Sequence, residues 1–142
     1  MIDVNEARQK QLDYIGITDA DLEMLRQHKD ILEQIADQVV ADLYEHILRQ
    51  PELAQIINDN STLEKLKTTQ RWYFMSLTEG TIDEAFIEKR LAVGRVHSRI
   101  GLTTDWYLGT YMKYLDISAF YLQKVLPETW QQVLHAITKM FN

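Results

Sequence analysis

One histidine stands where it could bind a metal. A helix would carry four residues on one face at steps of seven, four and three: Phe86, Val93, His97 and Ile100. On periodicity alone, this pattern favours a core histidine beside a tight helix–helix corner, because a single histidine is weak evidence for a metal site. Gly94 lies one turn before the histidine. A glycine inside a helix costs about 1 kcal/mol relative to alanine, so it suggests close packing against another group.

Two hydroxyl groups on apolar helix faces are further candidates. Tyr44 lies in a run of aliphatic residues, and Thr69 shares a face with Leu66 and Tyr73 at spacings of three and four. The pattern by itself indicates a core tyrosine bonded to a backbone carbonyl. It also indicates a threonine bonded to the preceding helical turn.

The segment around the histidine resembles the proximal-histidine segment of globin-coupled sensors, the family that includes haem-based aerotaxis transducers. Their pattern V-H-x-R-I-G-L-x-P-x-W-Y-x-G-A is matched at Val96, His97, Arg99, Ile100, Gly101, Leu102, Trp106, Tyr107 and Gly109. Thr104 stands where many members have proline, and Thr110 replaces alanine. A match of this length outweighs the argument from periodicity for a core histidine. The resemblance implies that His97 is the proximal ligand of a haem iron.

The resemblance extends from about residue 35 to residue 122 and implies the opposite side of the haem as well. A family segment with a distal tyrosine is similar to Asp42-Leu43-Tyr44, with leucine in place of phenylalanine. Tyr44 and Thr69 are the implied distal hydrogen-bond donors. The implied pocket walls are Leu43, Leu66, Tyr73, Val93, Ile100, Trp106 and Tyr107. The chain has no cysteine for covalent attachment, so the implied cofactor is haem b.

The chemistry of these residues favours a gas ligand. Ferrous haem takes one axial nitrogen from the protein and leaves the other axial position open. Dioxygen accepts a hydrogen bond there more strongly than carbon monoxide does, so distal hydroxyls favour oxygen. The expected ligands are therefore O2, with CO and NO as further diatomic gases.

Composition argues against several other functions. Lys and Arg total 15 against 21 Asp and Glu, a net charge of -6, which disfavours nucleic acid and anionic membranes as partners. No apolar run reaches the length of a membrane span and no signal peptide is visible, so we expect a cytoplasmic protein. Glu-x-x-His di-iron motifs, phosphate loops and Ser-His-Asp signals are missing, so the chain is not predicted to be an enzyme.

Asp42 and His46 are predicted to form an exposed salt bridge.

Helical patterns follow one another along the chain, and period-two alternation is nowhere sustained. The predicted helices cover residues 1–12, residues 22–47 with a corner at His28, a short helix from Pro51, a helix from Ser61 with Glu64 as its capping partner, a helix from Asp83 through His97, residues 106–125, and a last helix from Pro127 through Phe141. The resemblance implies a globin fold with an extra N-terminal helix and a short or absent D helix.

We therefore predict a single haem-binding sensor globin domain over residues 1–142, the N-terminal part of a longer signalling protein. The resemblance implies a C-terminal output domain such as a chemotaxis transducer or a diguanylate cyclase. Apolar residues surround more of the helix at 106–125 than one core-facing stripe requires, and the last helix keeps an apolar face to its end. Together with the family's four-helix dimer bundle, this predicts a homodimer through both helices. Two alternatives stay open: a haem-free scaffold module, and a stand-alone gas-binding globin.

Overall fold

The all-α prediction is confirmed by the computed structural model, which describes residues 1–141. Over that range the helices are α1 (Glu6–Ile15), α2 (Asp19–Gln27), α3 (Lys29–Leu48), α4 (Pro51–Asn60), α5 (Leu63–Ser76), α6 (Glu84–Arg99), α7 (Thr104–Val125) and α8 (Trp130–Met140). α1 is the extra N-terminal helix. Only two residues separate α4 from α5, which leaves no room for a D helix.

Helix α3 lies at the centre of the core. It packs on α5 and α7, while α8 packs on α7 and α2. Its core residues recur at helical spacing, and they are Leu32, Ile35, Ala36, Val39 and Leu43. Phe74 of α5, Leu122 of α7 and Ile137 of α8 are fully buried in the same core. The core is therefore built without most of α6, which lies at its side.

Local signals place several helix ends where the sequence predicts them. Thr18 caps α2 and forms a capping box with Asp21. Asp83 caps α6, its carboxylate accepting a hydrogen bond from the Phe86 amide at 2.9 Å. The chain turns at His28 between α2 and α3, as predicted. Gly16 ends α1 with φ of 90°, a left-handed conformation that favours glycine.

Two predicted helix starts and one packing prediction were wrong. Ser61 still belongs to the end of α4, because its amide donates to the Ile57 carbonyl, so Thr62 caps α5 instead. Pro127 lies in the turn before α8, which begins at Trp130. Gly94 has open space where a side chain would point, so none of residues 1–141 packs closely against it.

Two short strands, which the sequence did not reveal, fasten the start of the chain to the segment before α6. β1 (Ile2–Asp3) pairs in parallel with β2 (Ile82–Asp83), Ile2 opposite Ile82 and Asp3 opposite Asp83. The Ile82 amide also donates to the Met1 carbonyl at 2.9 Å. This pairing fixes the position from which α6 begins.

Within residues 1–141, none of the helices is both long enough and apolar enough to cross a bilayer.

Candidate functional site

The two halves of α6 differ in how they pack. Phe86, in the first half, is the only buried residue of the 16 in this helix. In the second half, Val93 and Val96 are exposed. Apolar side chains on the outside of a loosely packed helix leave surface that a ligand or another element can cover. His97 lies two residues before the end of this second half.

The His97 imidazole is half-buried and makes no hydrogen bond to residues 1–141. Its Nδ1 is shielded from solvent and has no hydrogen-bond partner among the described residues. The ring lies 5.5 Å from the ring of Tyr107, centroid to centroid, with the planes tilted by 55°. Burial lowers the pKa of His97 below its ordinary value, which favours the neutral imidazole at neutral pH. A neutral imidazole has one nitrogen lone pair available for a metal.

Tyr44 on α3 is buried but stands apart from the main core. Its neighbour Leu43 belongs to the main cluster of buried residues, and Tyr44 does not. No hydrogen bond to its hydroxyl is found within residues 1–141. Burial raises the pKa of Tyr44 to about 12, so the hydroxyl keeps its proton at neutral pH. Tyr44 can therefore act as a hydrogen-bond donor, and the described part of the protein does not use that donor.

Thr69 on α5 is differently placed. Its side chain is exposed, and its hydroxyl donates to the Lys65 carbonyl at 3.0 Å, the bond to the preceding turn that the pattern indicates. Leu66, one turn earlier, is half-buried. No hydrogen bond or ring contact joins Thr69 to His97 or Tyr44 in the described chain. Thr69 must therefore rotate and give up its present bond before it can donate elsewhere.

The expected walls fall into two groups. Ile100, Trp106 and Tyr107 follow His97 in sequence, and Ile100 and Trp106 are half-buried while Tyr107 is exposed. Val93, also expected as a wall, is 37% exposed. The second group lies on α3 and α5 and consists of Leu43, Leu66 and Tyr73.

Sequence reasoning missed an aromatic cluster around Tyr73. The ring of Phe141 stacks on Tyr73 with centroids 5.6 Å apart and planes at 6°. The same Phe141 ring meets Tyr111 at 5.5 Å and Tyr114 at 5.0 Å, both edge-on. The cluster joins α5, α7 and the end of α8. The apolar spacing of α8 put Phe141 on the core face, but no local pattern could identify its partners.

Sequence reasoning also missed Arg90, although a signal existed. Arg90 follows Phe86 by four residues and precedes His97 by seven, so it shares the apolar face of α6. Its guanidinium lies over the rings of Phe86 and Tyr73. A cation at a core-facing position is unusual enough to mark a specific contact.

Part of the apolar surface predicted to be exposed on the last two helices packs within the chain itself. Tyr114 and Leu122 are buried, and the Tyr111 hydroxyl donates to the Thr138 carbonyl at 3.2 Å. The apolar face of α8 packs on α7 and α2, with Val133 and Ile137 fully buried. The prediction of surplus exposed surface on α8 was therefore wrong.

Helix α7 nevertheless keeps an exposed apolar stripe. Its members are Leu108 at 55%, Met112 at 55% and Phe120 at 53% exposed. They lie four and eight residues apart and spread over about a third of the helix circumference, with the exposed Asp116 between Met112 and Phe120. The name α7 stripe is used below for these three residues.

The predicted Asp42–His46 salt bridge was also wrong. Asp42 instead accepts a hydrogen bond from the Tyr121 hydroxyl of α7, and this bond raises the pKa of Tyr121 above its ordinary value. The contact joins α3 to α7 beside the helical turn that carries Tyr44.

Comparison with known proteins identifies relatives of this arrangement. The Protoglobin family model matches residues 5–142. The globin domain of a globin-coupled sensor from Geobacter sulfurreducens superposes with a TM-score of 0.83 at 25% identity, over 93% of this chain and 88% of that one. The heme-based aerotactic transducer HemAT of Halobacterium salinarum is 32% identical over 105 residues, which are 73% of this chain and 22% of the transducer. The predicted globin fold and the resemblance to globin-coupled sensors are confirmed.

Proposed function

Because the chain belongs to the protoglobin family, we propose that it binds haem and senses a diatomic gas as the input domain of a signalling protein. The observation that carries the proposal is the state of His97, a half-buried imidazole on the open half of α6 in which Nδ1 is shielded and unpaired and Nε2 is the nitrogen left to bind a metal. Two relatives support it by their descriptions, one as a heme-based aerotactic transducer and the other as a globin-coupled sensor.

The residues present fit a b-type haem. Bound ferrous haem would supply an iron centre that can bind a diatomic gas. His97 would be the residue that holds the iron. Ile100, Trp106 and Tyr107 would offer apolar surface beside it, together with the exposed Val93. With no cysteine in the chain, the cofactor would be held without covalent attachment.

The distal donor in this proposal is Tyr44. Tyr44 is a buried residue, and its hydroxyl is protonated at neutral pH and free of described partners, so it can donate to a gas without breaking a protein hydrogen bond. Thr69 would have to exchange its bond to the Lys65 carbonyl for the new one, which cancels most of the gain. We therefore rank Tyr44 first and Thr69 second. A hydroxyl donor strengthens O2 binding more than CO binding, because bound O2 is the stronger hydrogen-bond acceptor; CO and NO are further ligands.

We further propose that the protein relays gas binding as a signal. We infer a homodimer that forms around the α7 stripe, because several exposed apolar residues on one helix are typical of an oligomer interface. α8 would contribute its half-buried edge residues Trp130 and Leu134. An output domain after the globin domain, such as a chemotaxis transducer or a diguanylate cyclase, would then respond to movement of α6 that is passed to α7 through the turn at Gly101 between the two helices.

Haem binding can be tested on the purified protein. The cofactor-free protein is titrated with haemin, reduced, and exposed in turn to O2 and CO while the visible spectrum is recorded. We expect saturation at one haem per chain and distinct spectra for the reduced, O2 and CO states. A protein that takes up no haem, or whose reduced spectrum ignores both gases, would contradict the proposal.

The interface can be tested by sedimentation at micromolar concentration. Met112→Lys places a charge in the α7 stripe and should shift a dimer towards the 16.7 kDa monomer. Asn58→Lys adds the same charge at an exposed position of α4, outside α7 and α8, and serves as the control. If the haem-loaded wild-type protein sediments only as a monomer, the proposed interface is contradicted.

A further inference from the structure

Among residues 1–141, most of the contacts that hold helix α6 to the rest of the protein lie in its first half. Strand β2 leads into it, Asp83 caps it, and Phe86 packs into the core. Arg90 makes the next contact. Beyond Arg90, Leu91, Val93 and Val96 are all exposed, and the next ring contact is that of His97 with Tyr107. Among residues 1–141, Arg90 thus makes the last hydrogen bond or ring contact to another helix before the histidine.

The contacts of Arg90 join α6 to α5. Its guanidinium carbon lies 3.5 Å from the Phe86 ring centroid and 4.8 Å from that of Tyr73. Its Nη2 donates to the Ser76 hydroxyl oxygen at 3.2 Å. Ser76 is buried, and its own hydroxyl donates to the Tyr73 carbonyl at 2.6 Å. The serine oxygen is therefore held in a fixed orientation, ready to accept from the arginine.

Arg90 is partly withdrawn from water, unlike its neighbour. Burial lowers the pKa of Arg90, although an arginine keeps its proton at every physiological pH. The neighbouring Lys89 lies 5.1 Å above the ring of Trp72, a half-exposed side chain on the outer side of the same cleft. The cleft of about 200 Å³ beside Arg90 is also lined by Glu79 and Asp83, and the Glu79 carboxylate interacts electrostatically with Arg90. Arg90 is thus partly buried and Lys89 is exposed, so a substitution of Lys89 serves as a matched control for substitutions of Arg90.

We propose that Arg90 is a positioning residue for His97: by locking α6 against Tyr73 and Ser76 of α5, it sets the orientation in which the imidazole is presented. The two residues are seven positions apart on one helix face, about 10 Å along the axis. A tilt at Arg90 is therefore carried to His97 by a segment that has few other attachments. The role in ligation rests on the proposed haem function, whereas the locking of α6 does not.

Arginine is suited to this role for geometric reasons. The planar guanidinium can lie against aromatic rings while it donates in its own plane. Lysine keeps the charge but offers a compact ammonium group that cannot reproduce that plane. We therefore expect Arg90→Lys to behave more like Arg90→Gln than like the wild type.

The test has one arm without cofactor and one with it. In the cofactor-free protein, we expect Arg90→Gln and Arg90→Lys to speed amide hydrogen exchange about tenfold over residues 91–99, with α3 unchanged. Ser76→Ala, which removes only the acceptor, should have a smaller effect in the same direction. Lys89→Gln should leave exchange at the wild-type rate. Equal exchange in all four variants would overturn the locking role.

In the haem-loaded protein, resonance Raman spectroscopy reports the iron–histidine stretching band of the reduced state. We expect both Arg90 variants to shift or broaden this band and to lose haem about five- to tenfold faster to an excess of apomyoglobin. The Lys89→Gln protein should match the wild type. An unchanged band in both Arg90 variants would overturn the positioning role while leaving the haem proposal intact. A wild type that binds no haem would overturn the ligand role and the proposed function together, and hydrogen exchange would still decide the locking of α6.

Discussion

Replacing Tyr44 by phenylalanine removes one oxygen atom from a buried position and isolates the distal half of the proposed site. In the gas-free protein the hydroxyl has no described hydrogen-bond partner, so no protein bond is lost. We therefore expect the free energy of unfolding of the cofactor-free protein to change by less than about 0.5 kcal/mol. Any larger effect would mean that the hydroxyl already has a structural role.

The expected effect on gas binding is larger and selective. A net hydrogen bond from the Tyr44 hydroxyl to O2 is worth about 1 to 1.4 kcal/mol, which is about five- to tenfold in affinity. Most of this change should fall on the rate of O2 dissociation, because the donor acts after the ligand has entered. CO accepts hydrogen bonds weakly, so its dissociation should change by less than about twofold.

The assay is stopped-flow displacement of O2 by CO from the reduced, haem-loaded protein. Tyr14→Phe is the matched control, because it removes the same atom from a side chain that is 94% exposed. Equal O2 dissociation from wild type and Tyr44→Phe would refute the assignment of Tyr44 as donor. So would a change of the same size for CO, since that would indicate a steric effect and not a hydrogen bond.

Three further outcomes follow from described contacts. Thr69→Val should change O2 dissociation by less than about twofold, because the hydroxyl already serves the Lys65 carbonyl; a change as large as that for Tyr44→Phe would show that it turns towards the gas. In the cofactor-free protein, burial lowers the pKa of His97, so the unfolded chain binds the extra proton first and stability should fall as pH drops below about 6.5. Urea unfolding of His97→Phe should show a shallower fall over that range, and equal slopes would refute the shift. Ile137→Ala, at a fully buried position, should cost about 2 to 5 kcal/mol in the same assay, and a cost below 1 kcal/mol would contradict its place in the core.

The helices could be predicted from sequence because their signals are local. The Thr18–Asp21 capping box and the Asp83 cap involve residues three positions apart, and the corner at His28 interrupts an otherwise continuous apolar period. Helix starts failed where two local signals competed. Ser61 and Thr62 are both capping residues, and only the end of α4 decides between them.

The rest depends on contacts between distant parts of the chain. The Tyr121–Asp42 bond and the β1–β2 pairing each join residues about 80 positions apart, and two-residue strands are too short to show alternation. Neither the cluster around Phe141 nor the contact of Arg90 with Ser76 has a periodic signature. His97 itself was found through the resemblance of its segment and not through spacing, which favoured an ordinary core histidine.

The central claim is that His97 is the axial ligand, and the spectrum of His97→Ala tests it most directly. The reduced, haem-titrated variant is recorded with and without added imidazole, beside His46→Ala, which removes an exposed histidine of α3. We expect His97→Ala to lose most of its haem or to recover the wild-type reduced spectrum when imidazole is added, and His46→Ala to match the wild type throughout. Full haem content and an unchanged reduced spectrum in His97→Ala, without imidazole, would contradict the claim.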